Sequence, residues 1–275
     1  MLQIAVLFLI AYGLVVLALY LGQRAFVYQP DSRVPVPEDS YVPEMEVVRP
    51  RAADGQEGMS WFHPPRPGFP TLVYFHGNAG HIGSRGYKVR PFMDAGWGAM
   101  LVEYRGYGGN PGKPTEQGLY ADGRAALRYL ESRAVAPGTW VLYGESLGTG
   151  VAVQMARDWA DAGTPAGALV LEAPFDSVTE VAKRRHPYAP VRWLLLDRFD
   201  SAAKIAGVRT AVMVAHGDAD RTVGQARGRA LFAAAVEPKE AHWIPDANHS
   251  NIFERADMVV RVTDLARRRG LVPDS

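Results

Sequence analysis

The pentapeptide Gly144-Glu145-Ser146-Leu147-Gly148 carries the clearest chemical pattern in this chain. It follows a run typical of a strand, residues 140–143, and precedes a run typical of a helix, residues 149–159. A serine on a sharp turn from strand to helix points its hydroxyl away from the end of a sheet, and the flanking glycines allow a tight turn and close packing of the helix. The pattern therefore predicts that Ser146 is a nucleophile.

A serine hydroxyl is a weak nucleophile at neutral pH, so it needs a base and a carboxylate that orients the base. In proteins with this turn, the order along the chain is serine, acid, histidine. The segment His216-Gly-Asp-Ala-Asp220 follows a predicted strand, and His249 lies directly before a predicted helix. We therefore predict Asp220 as the acid and His249 as the base.

Other residues compete for both roles. Asp218 is the main alternative acid, although its position suits a cap of the turn, and Asp176 and Glu172 follow an earlier predicted strand. The remaining histidines do not occupy the position of a base, because they lie within or at the end of strands, beside prolines, or in loops: His63, His76, His81, His186, His216 and His242.

A tetrahedral intermediate also needs donors for its oxyanion. One is the backbone N–H of the residue after the nucleophile, which is Leu147, and the other comes from a loop after an earlier strand. The loop 76–80 has the sequence His-Gly-Asn-Ala-Gly, and we predict the N–H of Asn78 as the second donor.

Composition removes several other function classes. The chain has 275 residues with 30 basic and 29 acidic side chains, so it lacks the charge excess of a nucleic-acid-binding protein. It has no cysteine, which excludes disulfides, thiolate catalysis and cysteine-ligated metals. Residues 107–114 depart from the Walker A pattern, and no HExxH spacing is present. We therefore expect neither a cofactor nor a metal.

The N-terminus differs from the rest of the chain. Residues 4–22 carry no charge over 19 positions, and roughly 20 apolar residues are needed to cross a bilayer as a helix. Tyr20, Phe26 and Tyr28 are of types found at membrane interfaces. A cleaved signal peptide fits less well, since no positive region precedes the run and no small-residue cleavage site follows it; a buried core helix is a third reading. We predict a single-pass N-terminal anchor, and Arg24 and Arg33 favour a cytoplasmic catalytic domain.

The rest of the chain alternates strands and helices. We predict an anchor helix over residues 1–23, a proline-rich linker over 24–43 and one catalytic domain over 44–275. The alternation indicates a mostly parallel, eight-stranded sheet with helices on both faces, and the turn around Ser146 indicates that the fold is that of an α/β-hydrolase. Strands are predicted over residues 44–49, 58–63, 71–75, 98–104, 139–143, 168–172, 210–215 and 240–244, and helices over 84–95, 115–133, 147–162, 225–236 and 251–268. Residues 173–209 are too few for a large cap and form either a small apolar flap over the serine or an ordinary core-facing helix.

The chain resembles the membrane-anchored α/β-hydrolase-domain serine hydrolases, the group that contains bud-emergence-type hydrolases and protein depalmitoylases. The similar segments lie between about residues 24 and 265: 74–80, 103–109, 114–122, 143–148 and 216–220. The resemblance implies Ser146 as nucleophile, Asp220 as acid, His249 as base, and Asn78 and Leu147 as oxyanion donors. The cysteine-rich N-terminus of the depalmitoylases is absent, and an apolar helix takes its place.

Two functions follow from these patterns. The first is a serine hydrolase that cleaves carboxylic esters or thioesters through an acyl-enzyme, with acyl or lipid-like substrates near a membrane. The alternative is a non-catalytic scaffold that retains the fold and binds a partner through the apolar flap. Fold alone does not choose the substrate.

Overall fold

The computed structural model describes residues 1–273, and an eight-stranded sheet forms the centre of this region. Its strands occur in the spatial order β10-β9-β8-β7-β4-β6-β3-β2, and all neighbours pair in parallel except at β2–β3 and β3–β6. The strands are β2 (Glu46–Val48), β3 (Ser60–His63), β4 (Thr71–Phe75), β6 (Gly98–Val102), β7 (Trp140–Glu145), β8 (Ala168–Glu172), β9 (Ala211–Gly217) and β10 (Lys239–Ile244). Two further strands, β1 (Gln29–Pro30) and β5 (Ala79–Gly80), pair only with each other.

Helices cover both faces of the sheet, which confirms the predicted fold class. The α-helices are α1 (Leu2–Val27), α2 (Gly86–Asp94), α3 (Glu116–Ser132), α4 (Leu147–Asp161), α5 (Val178–Arg185), α6 (Val191–Leu194), α7 (Ala202–Ile205), α8 (Gln225–Ala234), α9 (Ile252–Arg255) and α10 (Met258–Arg268). Short 3₁₀ turns lie at Pro37–Asp39, Ile82–Ser84 and Pro137–Thr139.

The apolar side chains of the central strands divide between two cores. Val73 and Phe75 of β4 belong to one cluster, whereas Leu72 and Tyr74 belong to the other. Successive side chains of a strand point to opposite faces, so a strand with both faces covered is apolar throughout. This explains why β4 is buried along its whole length. The parallel strands end at one edge, and the loops that follow them hold the predicted site residues.

Helix α1 runs from Leu2 to Val27, four residues past the predicted end of the anchor at residue 23. Each of its residues is at least partly exposed. Among residues 1–273, α1 is the one helix long and apolar enough to cross a membrane. The predicted linker at 24–43 therefore begins within the helix. Directly after α1, β1 pairs with β5, and this pairing fixes the chain beside the loop that follows β4.

The segment between β8 and β9 forms a small flap built from α5, α6 and α7, which is one of the two alternatives that the sequence left open. Val191, Leu195 and Phe199 anchor it in the interior, whereas Trp193 is 79% exposed and Tyr188 is 54% exposed. The flap therefore exposes some large apolar side chains to the outside, while its buried side chains hold it to the interior of the domain.

One predicted helix is divided in the structure. The sequence predicted a single helix over residues 251–268, but α9 ends at Arg255 and α10 begins at Met258. Asp257 between them has a φ of 47°, in the left-handed region that ends a regular helix. The apolar periodicity of this segment does not signal the break, because both short helices contribute side chains to the same core cluster.

Candidate active site

Ser146 lies where β7 turns into α4. Its backbone has a φ of 49° and a ψ of −115°, a strained conformation that a non-glycine residue adopts only when its surroundings impose it. Its N–H donates to the carbonyl of Glu172 over 2.9 Å. A Cβ on Gly144 would lie 2.5 Å from the Cα of Thr149, and one on Gly148 would overlap the carbonyl oxygen of Phe75. The two glycines therefore allow the tight turn that the sequence predicted.

His249 and Asp220 reach Ser146 from two other loops. The Oγ of Ser146 is 2.9 Å from Nε2 of His249, and Nδ1 of His249 is 2.8 Å from Oδ2 of Asp220. With the proton on Nδ1, His249 donates to Asp220 and accepts from the serine hydroxyl. This is the order of contacts that a serine nucleophile requires. Residues separated by 103 and 29 positions in the chain thus meet at one edge of the sheet.

Asp220 is held by four hydrogen bonds. Its Oδ1 accepts from the backbone N–H groups of Thr222 and Val223 over 2.7 and 3.1 Å. Its Oδ2 contacts His249 and also Nε2 of His216 over 2.8 Å. Burial opposes the charge of Asp220, but the hydrogen bonds from His216 and His249 hold the pKa of this carboxyl well below its usual range. The carboxylate is therefore charged and fixed in orientation.

The competing acids are engaged elsewhere. Asp218 accepts from the backbone N–H of Asp246 over 2.8 Å. Asp176 pairs with Arg227 over 3.1 Å, and Glu172 belongs to a buried ion pair described below. Of the three, none forms a hydrogen bond with His249 in the part of the chain that the structure describes.

The two predicted oxyanion donors border the same cavity as Ser146. Leu147 is the first residue of α4, and the first N–H groups of a helix have no partner within it. The loop of Asn78 is fixed from the other side, because its carbonyl accepts from the N–H of Gln29 over 2.9 Å and from the hydroxyl of Tyr107 over 2.8 Å. These contacts fix the backbone of Asn78 at the wall of the cavity.

Comparisons with known proteins agree with this architecture. An uncharacterised protein of Mycobacterium tuberculosis is 38% identical over 254 residues, which cover 90% of this chain and 87% of that protein. The lysophosphatidylserine lipase ABHD12 of Danio rerio is 33% identical over 188 residues, which cover 62% of this chain and 48% of that protein. An esterase of Pyrococcus furiosus superposes with a TM-score of 0.68 at 16% identity, covering 88% of this chain and 97% of that chain. The chain belongs to the α/β-hydrolase-domain family. No protein-family model matches it.

Within this α/β-hydrolase, a buried charged cluster lies behind the serine turn, and the sequence did not predict it. The Nζ of Lys88 is 3.1 Å from Oε2 of Glu145 and 3.0 Å from Oε1 of Glu172. The hydroxyl of Tyr74 donates to Glu145, and that of Tyr143 donates to Glu172. Because Glu145 directly precedes Ser146, the cluster fixes the backbone on which the nucleophile sits.

The two glutamates of this cluster differ in their electrostatics. Burial alone would raise the pKa of Glu145, but the cations Lys88 and Arg85 lower it to about 2. Burial also acts on Glu172, whose pKa is raised above its usual value despite the contact with Lys88. The protein therefore stabilises the charged form of Glu145 and disfavours the charged form of Glu172.

A cavity of about 400 Å³ opens onto the serine. This volume is within the range of pockets that bind small organic ligands. Residues of the flap and of α1 line it together with Ser146, Asn78 and Leu147. In residues 1–273, no group of histidine, aspartate and glutamate side chains is arranged to hold a metal ion.

Proposed function

We propose that this α/β-hydrolase is a serine hydrolase that cleaves carboxylic esters or thioesters through an acyl-enzyme. The observation that carries the proposal is the hydrogen-bonded series Ser146–His249–Asp220, whose serine lines an apolar cavity. The names of two similar proteins, a lysophosphatidylserine lipase and an esterase, agree with ester hydrolysis.

The proposed reaction has two stages. The Oγ of Ser146 attacks the carbonyl carbon of the ester while its proton moves to Nε2 of His249, and the N–H groups of Leu147 and Asn78 stabilise the oxyanion. The intermediate collapses, the C–O bond of the ester breaks, and the leaving alcohol takes the proton from His249. Water then attacks the acyl-enzyme by the same route, which releases the acid and restores Ser146. Asp220 holds the imidazole in orientation and stabilises its positive charge.

We further propose that α1 anchors the enzyme in a membrane as a single-pass helix, with the catalytic domain on the cytoplasmic side. The length and apolar character of α1 support the anchor, as do the exposed Trp193 and Tyr188 of the flap. Arg24 and Arg33 after the uncharged segment support the cytoplasmic side. The full-length protein is expected to remain in the membrane pellet after alkaline carbonate extraction. Release into the supernatant would contradict the proposal.

Hydrolysis of p-nitrophenyl butyrate by the full-length protein in detergent micelles tests the catalytic proposal. Replacing Ser146 by Ala or His249 by Gln removes the nucleophile or the base, and such changes lower kcat by about 10⁶-fold in an enzyme of this type. Ser250→Ala is the matched control, since Ser250 is an exposed serine beside His249 whose hydroxyl has no role in the proposed reaction. Turnover that survives the loss of Ser146 would contradict the proposal.

A further inference from the structure

One face of α1 is part of the wall of the cavity. Val16, Leu19, Tyr20, Gln23, Phe26 and Val27 line it together with the flap. Their spacing of three or four residues places them on one side of a helix. The other side carries Leu17 and Leu21, which do not line the cavity, and Leu21 is 74% exposed. A helix that only anchored the protein in a membrane would not need one side that lines the cavity.

Specific contacts hold α1 against the flap. The hydroxyl of Tyr12 donates to the carbonyl of Tyr188 over 2.9 Å. Near the other end of the helix, Gln23 donates to the carbonyl of Leu194 and accepts from the N–H of Leu196. With a rise of 1.5 Å per residue, the contacts at Tyr12 and Gln23 are about 16 Å apart along the helix axis.

An ion pair adds to these contacts at the C-terminal end of α1. Arg24 contacts the carboxylate of Asp197 over 2.8 Å, and Asp197 is 4% exposed. The other carboxylate oxygen of Asp197 accepts from the N–H of Glu116 at the start of α3. The helix is therefore joined to the hydrolase domain by side chains as well as by the chain that follows it.

The orientation of the cavity follows from the residues after α1. Gln29 pairs with Ala79 and donates to the carbonyl of Asn78, the predicted oxyanion residue. The C-terminal end of α1 is thus the end nearest to Ser146. Val16 lies eleven residues before Val27, so the cavity continues about 16 Å along the helix away from the reacting atoms.

We propose that α1 forms half of an acyl-chain site, in which the chain of a long-chain ester lies between α1 and the flap while its carbonyl carbon meets Ser146. This rests on the proposed function. A length of about 16 Å matches an extended chain of roughly a dozen carbons, and the flap supplies apolar side chains opposite the helix, among them Val181, Leu194 and Leu195. Val16 and Leu19 line the far end and set the chain length that fits.

The cavity runs beside the uncharged part of α1, so a chain enters it sideways from the bilayer and not through its far end. Val16, Leu19 and Tyr20 belong to the uncharged segment 4–22, and the flap at Tyr188 contacts the helix still nearer to its N-terminus. A chain already in the hydrocarbon of a bilayer therefore reaches the cavity beside α1 without crossing water. Contacts with α1 and the flap then replace the contacts that the chain made with the lipid tails.

The test compares esters of two lengths in the full-length protein in detergent micelles. Val16→Trp and Leu19→Trp fill the far end, so the ratio of kcat/KM for p-nitrophenyl laurate to that for p-nitrophenyl butyrate is expected to fall about tenfold or more. Leu21→Trp is the matched control, because it adds the same side chain to the outward side of the same helix. Val16→Ala is expected to move the preference towards the longer p-nitrophenyl palmitate.

The outcomes separate this inference from the proposed function. If the wild type hydrolyses both esters and the ratio is unchanged in Val16→Trp and Leu19→Trp, the acyl-chain site is wrong while the hydrolase stands. An equal fall in Leu21→Trp also overturns it, since the effect would then be general to the helix. If the wild type hydrolyses neither ester and Ser146 is unreactive, both proposals are wrong.

Discussion

Replacement of Glu145 by Gln tests the buried cluster that supports the nucleophile. The side chain of Glu145 is 18% exposed, and Lys88 and Arg85 lower its pKa from 4.5 to about 2 against the opposing effect of burial. By proton linkage, this difference corresponds to about 3 kcal/mol of stability at neutral pH. We expect Glu145→Gln to lower the free energy of unfolding by about that amount.

The pH dependence gives the sign of the effect. A carboxylate whose pKa is lowered in the folded state contributes stability above the unfolded pKa, and this contribution is lost as the pH falls through the folded pKa. The difference between wild type and Glu145→Gln should therefore be complete at pH 7 and shrink as the pH falls from about 4.5 towards 2. For Glu172 the sign is reversed, because its pKa is raised, so Glu172→Gln is the matched control and should cost less at pH 7.

Urea unfolding of the full-length protein in micelles, followed by the fluorescence of its six tryptophans, measures these differences. If Glu145→Gln is as stable as wild type at pH 7, or if the gap stays constant down to pH 3, the electrostatic reasoning is wrong. If Glu172→Gln is the more destabilised variant, the roles assigned to the two carboxylates are reversed.

Two further predictions concern the serine turn and the acid. Gly148→Ala should lower stability by about 3 kcal/mol or prevent folding, because its Cβ overlaps the carbonyl of Phe75; a thermal midpoint close to that of wild type would contradict the geometry. Asp220→Asn should lower kcat for p-nitrophenyl butyrate by about 10⁴-fold through loss of the orientation and charge that it supplies to His249, whereas Asp218→Asn should stay within a few-fold of wild type. Equal losses in the two aspartate variants would mean that the acid was misassigned.

Local sequence predicted those features that depend on a few neighbouring residues. The pentapeptide around Ser146 specifies its own turn, because the two glycines are required by close contacts within that turn and with β4. The apolar run 71–75 matches β4 residue for residue, since a strand covered on both faces is apolar throughout. The chain order of acid and base then selected Asp220 and His249, which the fold brings to Ser146.

Features that depend on distant residues were not visible in the sequence. Lys88 is 57 positions from Glu145 and 84 from Glu172, and a lysine on an amphipathic helix normally faces solvent. His216 lies at the end of a predicted strand, but its specific partner, Asp220, depends on how the loop after β9 folds back. Likewise, the contact between Tyr12 and Tyr188 joins residues 176 positions apart, so no local pattern marks one face of α1 as part of a cavity.

Covalent trapping of the nucleophile tests the central claim most directly. The intact protein is treated with a fluorophosphonate probe, and the modified peptide is identified by mass spectrometry. Activation of Ser146 by His249 predicts one phosphonate on Ser146, strongly reduced by His249→Gln and absent in Ser146→Ala. An unmodified wild-type protein, or a probe attached to a different residue, would contradict the assignment of Ser146 as the nucleophile.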